Sequence, residues 1–164
     1  MIQSIYETHV QVKQLEKSIE FYKGLGIVLA HKIEERRCAF FYVGEKKQML
    51  GIWEVAEGEK IKTNHFAFGV TLEDLKRANE WLQERGIRLR KSFEKEPIEP
   101  IVHDWMPSAA VYFYDLDGNS LEFNARLDEE SIGISEVLYL SEWLERKIKK
   151  LMKYRDLGMG CNDK

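Results

Sequence analysis

Apolar and polar positions along this chain change period in a set order, and that order occurs twice. Residues 4–12 alternate with period two, with Ile5, His9 and Gln11 on one parity and Tyr6, Val10 and Val12 on the other, which predicts a strand. Over 14–23 the period lengthens to that of a helix with Leu15, Ile19 and Tyr22 on one stripe, and Gly24 and Gly26 end it. Strands follow at 27–33, 37–43 and 48–55, the last two joined by the turn Gly44–Lys47. After a short polar linker at 56–62 the order restarts. A strand at 63–70 leads to a helix capped by Thr71, with Asp74 as its acidic reciprocal partner and Leu75, Ala78 and Leu82 as its apolar stripe. Gly86 stops that helix, 87–91 reads as a strand, and Ala109–Tyr114 with Ser120–Asn124 read as a hairpin around Asp115–Asn119. The stretch 93–108 holds all three prolines, Pro97, Pro100 and Pro107, and reads as an irregular loop over a site or a partner. From about 128 onward one amphipathic helix is predicted, with Val137, Leu140, Leu144, Ile148 and Leu151 between Arg146, Lys147, Lys149 and Lys150.

The predicted class is α+β: two βαβββ modules, 4–55 and 63–124, forming a curved half-barrel around a cleft. A domain of 1–127 is followed by a helical extension at 128–164. The extension's apolar stripe needs a partner, either the barrel exterior or another subunit. The 164 residues fit one domain or two small joined modules.

A net charge of −3 gives no electrostatic case for nucleic acid or an anionic membrane. No apolar run approaches a membrane span, and Met-Ile-Gln-Ser lacks the regions of a signal peptide. Cys38 and Cys161 make neither a disulfide framework nor a CxxC motif, so a reduced, cytoplasmic protein is expected.

Parity also sorts the sheet faces. Val10 and Val12 belong under the first helix, which sends Glu7, His9 and Gln11 to the front; Phe66, Phe68 and Val70 go beneath, leaving His65, Ala67 and Gly69 in front. Leu121 and Phe123 go beneath, and Ser120, Glu122 and Asn124 point forward. His9 and His65 hold matching places in the two copies and, with Glu122, can converge in one cavity. Two imidazoles and a carboxylate suit a divalent first-row metal (Fe, Mn, Zn, Ni or Co) with open coordination positions. The bland alternative is that each histidine is a surface or satisfied core residue. Glu7 and Gln11 flank His9 as candidates for a base or a supporting hydrogen bond. Trp53, Trp105 and Asn124 are candidate ligand contacts, and core packing or loop anchoring accounts for the tryptophans equally well.

These residues resemble the vicinal oxygen chelate superfamily, which includes glyoxalase I, extradiol dioxygenases, fosfomycin-resistance enzymes and bleomycin-binding proteins. The likeness rests on Thr-His-Val-Gln-Val at His9, Ser18-Ile19-Glu20-Phe21-Tyr22 with Gly26, Asn-His-Phe-Ala-Phe at His65, and the run Tyr112–Phe123, and it spans about residues 4–126. The resemblance implies a metal held by His9, His65 and Glu122, a small-molecule substrate, and modules often completed in a homodimer. It does not fix the reaction. Glyoxalase I supplies a further glutamate from its fourth strand; parity puts Gly51 there, with Glu54 as a substitute only if a bulge shifts the register. Fosfomycin-resistance enzymes follow the last metal glutamate with a histidine and a Gly-rich stretch. Asn124-Ala125-Arg126-Leu127 stands here instead, against thiol transfer. Extradiol dioxygenases carry additional His and Tyr acid–base residues, roles open to His103 and Tyr112, although His103 reads as a solvated loop histidine. The expectation is a metal-dependent isomerase, lyase or oxygenase; the alternative is a metal-free protein that binds a small molecule or antibiotic.

Overall fold

A computed structural model describes residues 1–156, apart from the side chains of 154–156; Cys161 lies outside the described residues. The fold is α+β, with two sheets and three helices among the described residues. The chain divides into two compact units, Met1–Phe66 with Phe113–Leu121, and Ala67–Tyr112 with the chain from Glu122 onward.

In the first unit, β1 (Glu7–Val12), β2 (Val28–Ile33), β3 (Cys38–Val43) and β4 (Gln48–Glu54) form a sheet of order β1–β4–β3–β2. β1 runs parallel to β4 because α1 (Leu15–Gly24) carries the chain back to the start of the sheet before β2 begins. The helix packs on β2, β3 and β4 with Leu15, Ile19 and Tyr22 buried, and Val10, Val12, Phe41, Leu50 and Ile52 of the sheet are buried as well. This side of the sheet is the one that parity assigned to the core. Truncating one of these to alanine costs about 2–5 kcal/mol. Gly26 leaves the helix at φ +87°, a conformation a side chain would strain.

The Asp115–Asn119 turn is held by its own side chains. Asp115 Oδ1 accepts from the backbone N–H of Asp117 and Asn119 at 2.9 and 2.8 Å, while Oδ2 accepts from Tyr22 Oη–H at 2.9 Å. Burial, with the Asp115 charge beside it, holds the Tyr22 hydroxyl well above its ordinary pKa. Asn119 donates to the Gln11 carbonyl at 3.0 Å and accepts from Asn64 N–H at 2.9 Å. The Asp-Leu-Asp-Gly-Asn motif is therefore a fold clasp, which is why it marks the fold and not an activity.

In the second unit α2 (Leu72–Glu84) is capped as the sequence predicts: Thr71 Oγ1 accepts from Asp74 N–H at 3.1 Å and donates to the Asp74 carboxylate at 2.7 Å. Its buried face is Leu75, Ala78 and Leu82. The remaining strands are β5 (His65–Gly69), β6 (Ile101–His103), β7 (Ser108–Tyr114), β8 (Ser120–Arg126) and β9 (Leu138–Tyr139), in sheet order β5–β8–β7–β6–β9.

Three expectations change. The strand at 87–91 is absent; its backbone reaches β7 through Arg90 N–H to the Tyr112 carbonyl at 2.8 Å, and a tight turn at Phe93-Glu94 then diverts the chain. The second strand of the second copy is β6, inside the stretch read as irregular. The terminal helix begins at Leu140, not near 128, because β9 first pairs antiparallel with β6. Val137 and Tyr139 consequently pack on Ile101, Ala110 and Tyr112 and take no place on a helix stripe. The residue that α3 (Leu140–Asp156) buries completely is Trp143, whereas Leu144, Ile148 and Leu151 are exposed.

Candidate functional site

His9 lies on β1 directly opposite Gly51 of β4, in an unbroken register from Glu7↔Met49 to Val12↔Glu54. A Cβ on Gly51 would meet Phe40 Cε1 at 3.2 Å, His9 Cδ2 at 3.3 Å and Trp53 Nε1 at 3.3 Å, so the glycine gives the imidazole its room. Trp53 stacks on His9 with ring centroids 5.8 Å apart and donates its indole N–H to His9 Nδ1 at 2.8 Å. Glu7 Oε1 lies 3.3 Å from His9 Nε2. With Nδ1 accepting, the neutral ring carries its proton on Nε2. Gln11 is occupied in joining the linker, its side-chain oxygen accepting from Lys62 N–H at 2.8 Å. A cleft of about 480 Å³ beside this group is lined by His9, Gln11, Trp53 and Asn64 among others. Because no bulge shifts the register, Glu54 stays on the helix side. It accepts from Leu15 N–H at 2.8 Å and from Arg37 at 2.6 Å, capping α1. Arg37 first, and the Leu15 N–H after it, hold the Glu54 carboxyl below its usual range despite opposing desolvation.

His65 opens β5 and is exposed. Its Nδ1 faces the Ser120 carbonyl at 3.0 Å and the Ser120 hydroxyl at 3.1 Å. A carbonyl can only accept, so Nδ1 carries the proton and the lone pair falls on Nε2. This is the way a metal-ligating histidine is oriented by a supporting carbonyl.

Glu122 is 5% exposed and belongs to a chain of polar groups in the second unit. Asn124 Nδ2 donates to Glu122 Oε1 at 2.6 Å and lies 3.3 Å from Ser108 Oγ. On the other side Tyr112 hydrogen-bonds to Glu122, and His103 Nε2 lies 2.9 Å from the Tyr112 hydroxyl. Burial, then the Glu122 charge and hydrogen bond, raise the Tyr112 pKa, so the phenol stays protonated and donates to the carboxylate. His103 is pushed down by burial, with Glu122 opposing, and its neutral ring donates from Nε2 to the phenol oxygen. His103 is thus not a solvated loop histidine. It closes β6 at 6% exposure because the stretch around it forms a strand. Trp105, in contrast, is 76% exposed and joins no site group.

Sequence reasoning missed Phe93. Phe93 and Glu94 both have positive φ, 50° and 60°, in a two-residue turn closed by Ser92 and Lys95. Glycine or asparagine normally serves there, and neither signals this turn. The strained turn sets the Phe93 ring 4.8 Å from His103 and 6.0 Å from Tyr112. Next to His103, buried Asp104 ties down the tail: its carboxylate accepts from Ser131 Oγ–H at 2.7 Å, Ile134 N–H at 2.8 Å, Ile132 N–H at 3.0 Å and Trp143 Nε1–H at 2.7 Å. Among the described residues no three His, Cys, Asp or Glu side chains gather closely enough to hold an ion, and no helix is long and apolar enough to cross a membrane.

The repeated β-α-β-β-β order with its Asp115–Asn119 clasp defines a class. Residues 4–123 match the profile of the Glyoxalase/Bleomycin resistance protein/Dioxygenase superfamily. The chain belongs to that superfamily, the vicinal oxygen chelate proteins. A metallothiol transferase, FosB, of Staphylococcus haemolyticus is 29% identical over 133 residues, covering 76% of this chain and 84% of the transferase. Among solved structures, an integron cassette protein from the mobile metagenome of a Halifax Harbour sewage outfall is 30% identical with a TM-score of 0.64, covering 76% of this chain and 99% of that one. The fosfomycin resistance protein FosX of Listeria monocytogenes, solved with Mn(II) and sulfate, has a TM-score of 0.58 at 23% identity, covering 80% of this chain and 97% of that one.

Proposed function

We propose that this chain is a metal-dependent enzyme of the superfamily, in which His9, His65 and Glu122 hold a divalent first-row metal and two chains pair to complete the set. The carrying observation is the Ser120 carbonyl on His65 Nδ1, which supports the tautomer whose lone pair lies on Nε2, as a ligating histidine requires. Asn124 and Tyr112 fix the position of the buried Glu122 side chain, as supporting groups around a ligating carboxylate do. The kinship with FosB, a metallothiol transferase by name, agrees with this reading. When bound, such a metal would supply Lewis-acid chemistry toward a substrate bearing two neighbouring oxygens.

The chain's own residues define what surrounds that chemistry. Tyr112 and His103 form a buried donor chain behind Glu122, and Asn124 fixes the carboxylate from the other side. Glu7 lies near His9 as a proton acceptor at the front of β1. Trp53 walls the cleft beside His9 for a planar or apolar substrate part. Isomerase, lyase and oxygenase chemistry fit such a site, and the kinship with FosB reopens the thiol transfer that Asn124-Ala125-Arg126-Leu127 speaks against.

Elemental analysis of protein purified without chelator tests this. Near-stoichiometric divalent metal is expected, lost in His65→Ala and Glu122→Gln. Mixing His9→Ala chains with Glu122→Gln chains should restore metal to about one site in four, because a two-fold dimer sharing its ligands leaves one intact site in each mixed pair. Unchanged metal in the single variants sinks the triad; no restoration on mixing sinks the pairing. A second reading, a metal-free binding protein, is favoured by the Trp53 hold on His9. Ligand-induced thermal stabilisation that survives chelation would select it.

A further inference from the structure

We infer that Arg126 is the recognition point for an oxyanion on the substrate, so that the molecule handled beside Glu122 is a small anion. The inference deepens the reading above and rests on it for the role of Glu122. Glu122, Asn124 and Arg126 occupy alternate positions on β8 and therefore share one face of the strand. Two cavities meet on that face. One, of about 730 Å³, opens over Ala67 and Gly69 of β5, where the absence of side-chain bulk leaves the floor low; the other is about 380 Å³ and opens toward Ser108. Asn124 and Arg126 line both, so the two form one groove with these residues at its centre.

The charge in this groove does not cancel. It contains two carboxylates, and each is already matched: Asp74 bonds Thr71 and lies 3.2 Å from Arg77, and Glu129 lies 2.7 Å from Lys147. The Arg126 side chain is exposed and has no hydrogen bond or ion pair among the described residues. An unmatched guanidinium in a groove floored by small residues favours a planar, bidentate oxyanion over a neutral guest. The four-residue step from Glu122 to Arg126 spans about 13 Å of strand, so a ligand reaching both carries its anion at the end remote from any chelating oxygens. Carboxylate and phosphate share this chemistry.

The test titrates inorganic phosphate and acetate separately into chelator-treated protein, followed by calorimetry and by backbone NMR shifts at 124–126. Saturable binding of one of them is expected, weakened at least tenfold in Arg126→Gln, partly retained in Arg126→Lys and unchanged in the control Arg85→Gln. Which anion binds identifies the class. Binding of neither anion, or binding indifferent to Arg126→Gln in a variant whose melting temperature is unchanged, overturns the inference. Metal content is measured on the same variants, and Arg126→Gln should keep it. Absence of metal from wild-type protein purified without chelator, with Arg126-dependent anion binding intact, would instead remove the metal reading alone.

Discussion

His9 and His65 hold the same place in the two copies of one unit, yet the protein treats their rings in opposite ways. His65 donates its Nδ1 proton to a backbone carbonyl and keeps its lone pair on Nε2. His9 accepts a tryptophan N–H on Nδ1, so its lone pair is occupied and its proton faces Glu7. The difference shows that duplicating a strand duplicates a side chain's position, not its tautomer. The tautomer is set by one neighbour, and the neighbours differ: a strand carbonyl in one copy, the Trp53 indole in the other. Under the proposed metal reading, His65 would ligate through Nε2 with its Ser120 contact kept, whereas ligation by His9 would disturb the Trp53 bond.

The largest blow to the second copy's surroundings is through Asp104, next to His103. Asp104→Ala would leave two backbone N–H groups and the Trp143 indole without their acceptor, at about 3 kcal/mol or more. A fall in melting temperature of roughly 10 °C should follow, while His65 keeps its Ser120 contact. The wild type carries the same information in its pH dependence. Burial pushes this carboxyl up, but the bonds from Ile134, Ser131, Trp143 and Ile132 prevail and bring it to about 2. Because the folded value lies below the unfolded one, the stabilisation is complete above about pH 4 and is lost as pH falls toward 2. It amounts to roughly 2 kcal/mol. Denaturant melts between pH 5 and 2 should show this loss in the wild type and not in Asp104→Ala.

A middling effect separates the copies from the other side. Gly51→Ala places a methyl 3.2–3.3 Å from Phe40, His9 and Trp53, all of them ring atoms with little freedom to yield. A cost of about 1–2 kcal/mol is expected from such overpacking, read by thermal melts, together with a shift of the His9 ring resonances that leaves His65 unmoved. An unchanged melting temperature would mean that the aromatic group around His9 is loose and that the contrast between the copies is weaker than the geometry implies.

Much of this was legible in the residues and some was not, for definite reasons. Alternation placed Val10, Val12, Phe68, Leu121 and Phe123 beneath the sheets, and Gly51 in front beside His9, because a strand's faces follow from parity alone. The Thr71 cap and the turn at Asp115–Asn119 were visible because those side chains bond locally, whereas the bonds from that turn to Tyr22, Gln11 and Asn64 are long-range and were not. Tautomers could not be read, since they depend on Trp53 and Ser120 meeting the rings across strands. The turn at Phe93-Glu94 was invisible because it has no glycine or asparagine, and with it went the burial of His103. The tail's helix was placed too early because Val137 falls on a helical spacing by coincidence; its actual packing is on Ile101, Ala110 and Tyr112.

The smallest effect is the most discriminating, because it acts on the one bond that makes the two histidines unlike. Trp53→Phe keeps an aromatic ring to stack on His9 and removes the indole N–H that Nδ1 accepts. If that bond holds His9 back, then ligation through Nε2 requires the ring proton to move to Nδ1, where it would meet the indole N–H directly, and ligation through Nδ1 must displace the indole outright. Either route loses one hydrogen bond of about 1 kcal/mol, so its removal should tighten metal binding about fivefold. Competition with a fluorescent chelator would measure it, with Trp105→Phe as a control expected to change nothing because Trp105 is exposed and apart from the site. Weaker binding in Trp53→Phe would reverse the assignment: the indole would then be orienting His9 toward the metal, and the two copies would be alike in purpose though not in chemistry.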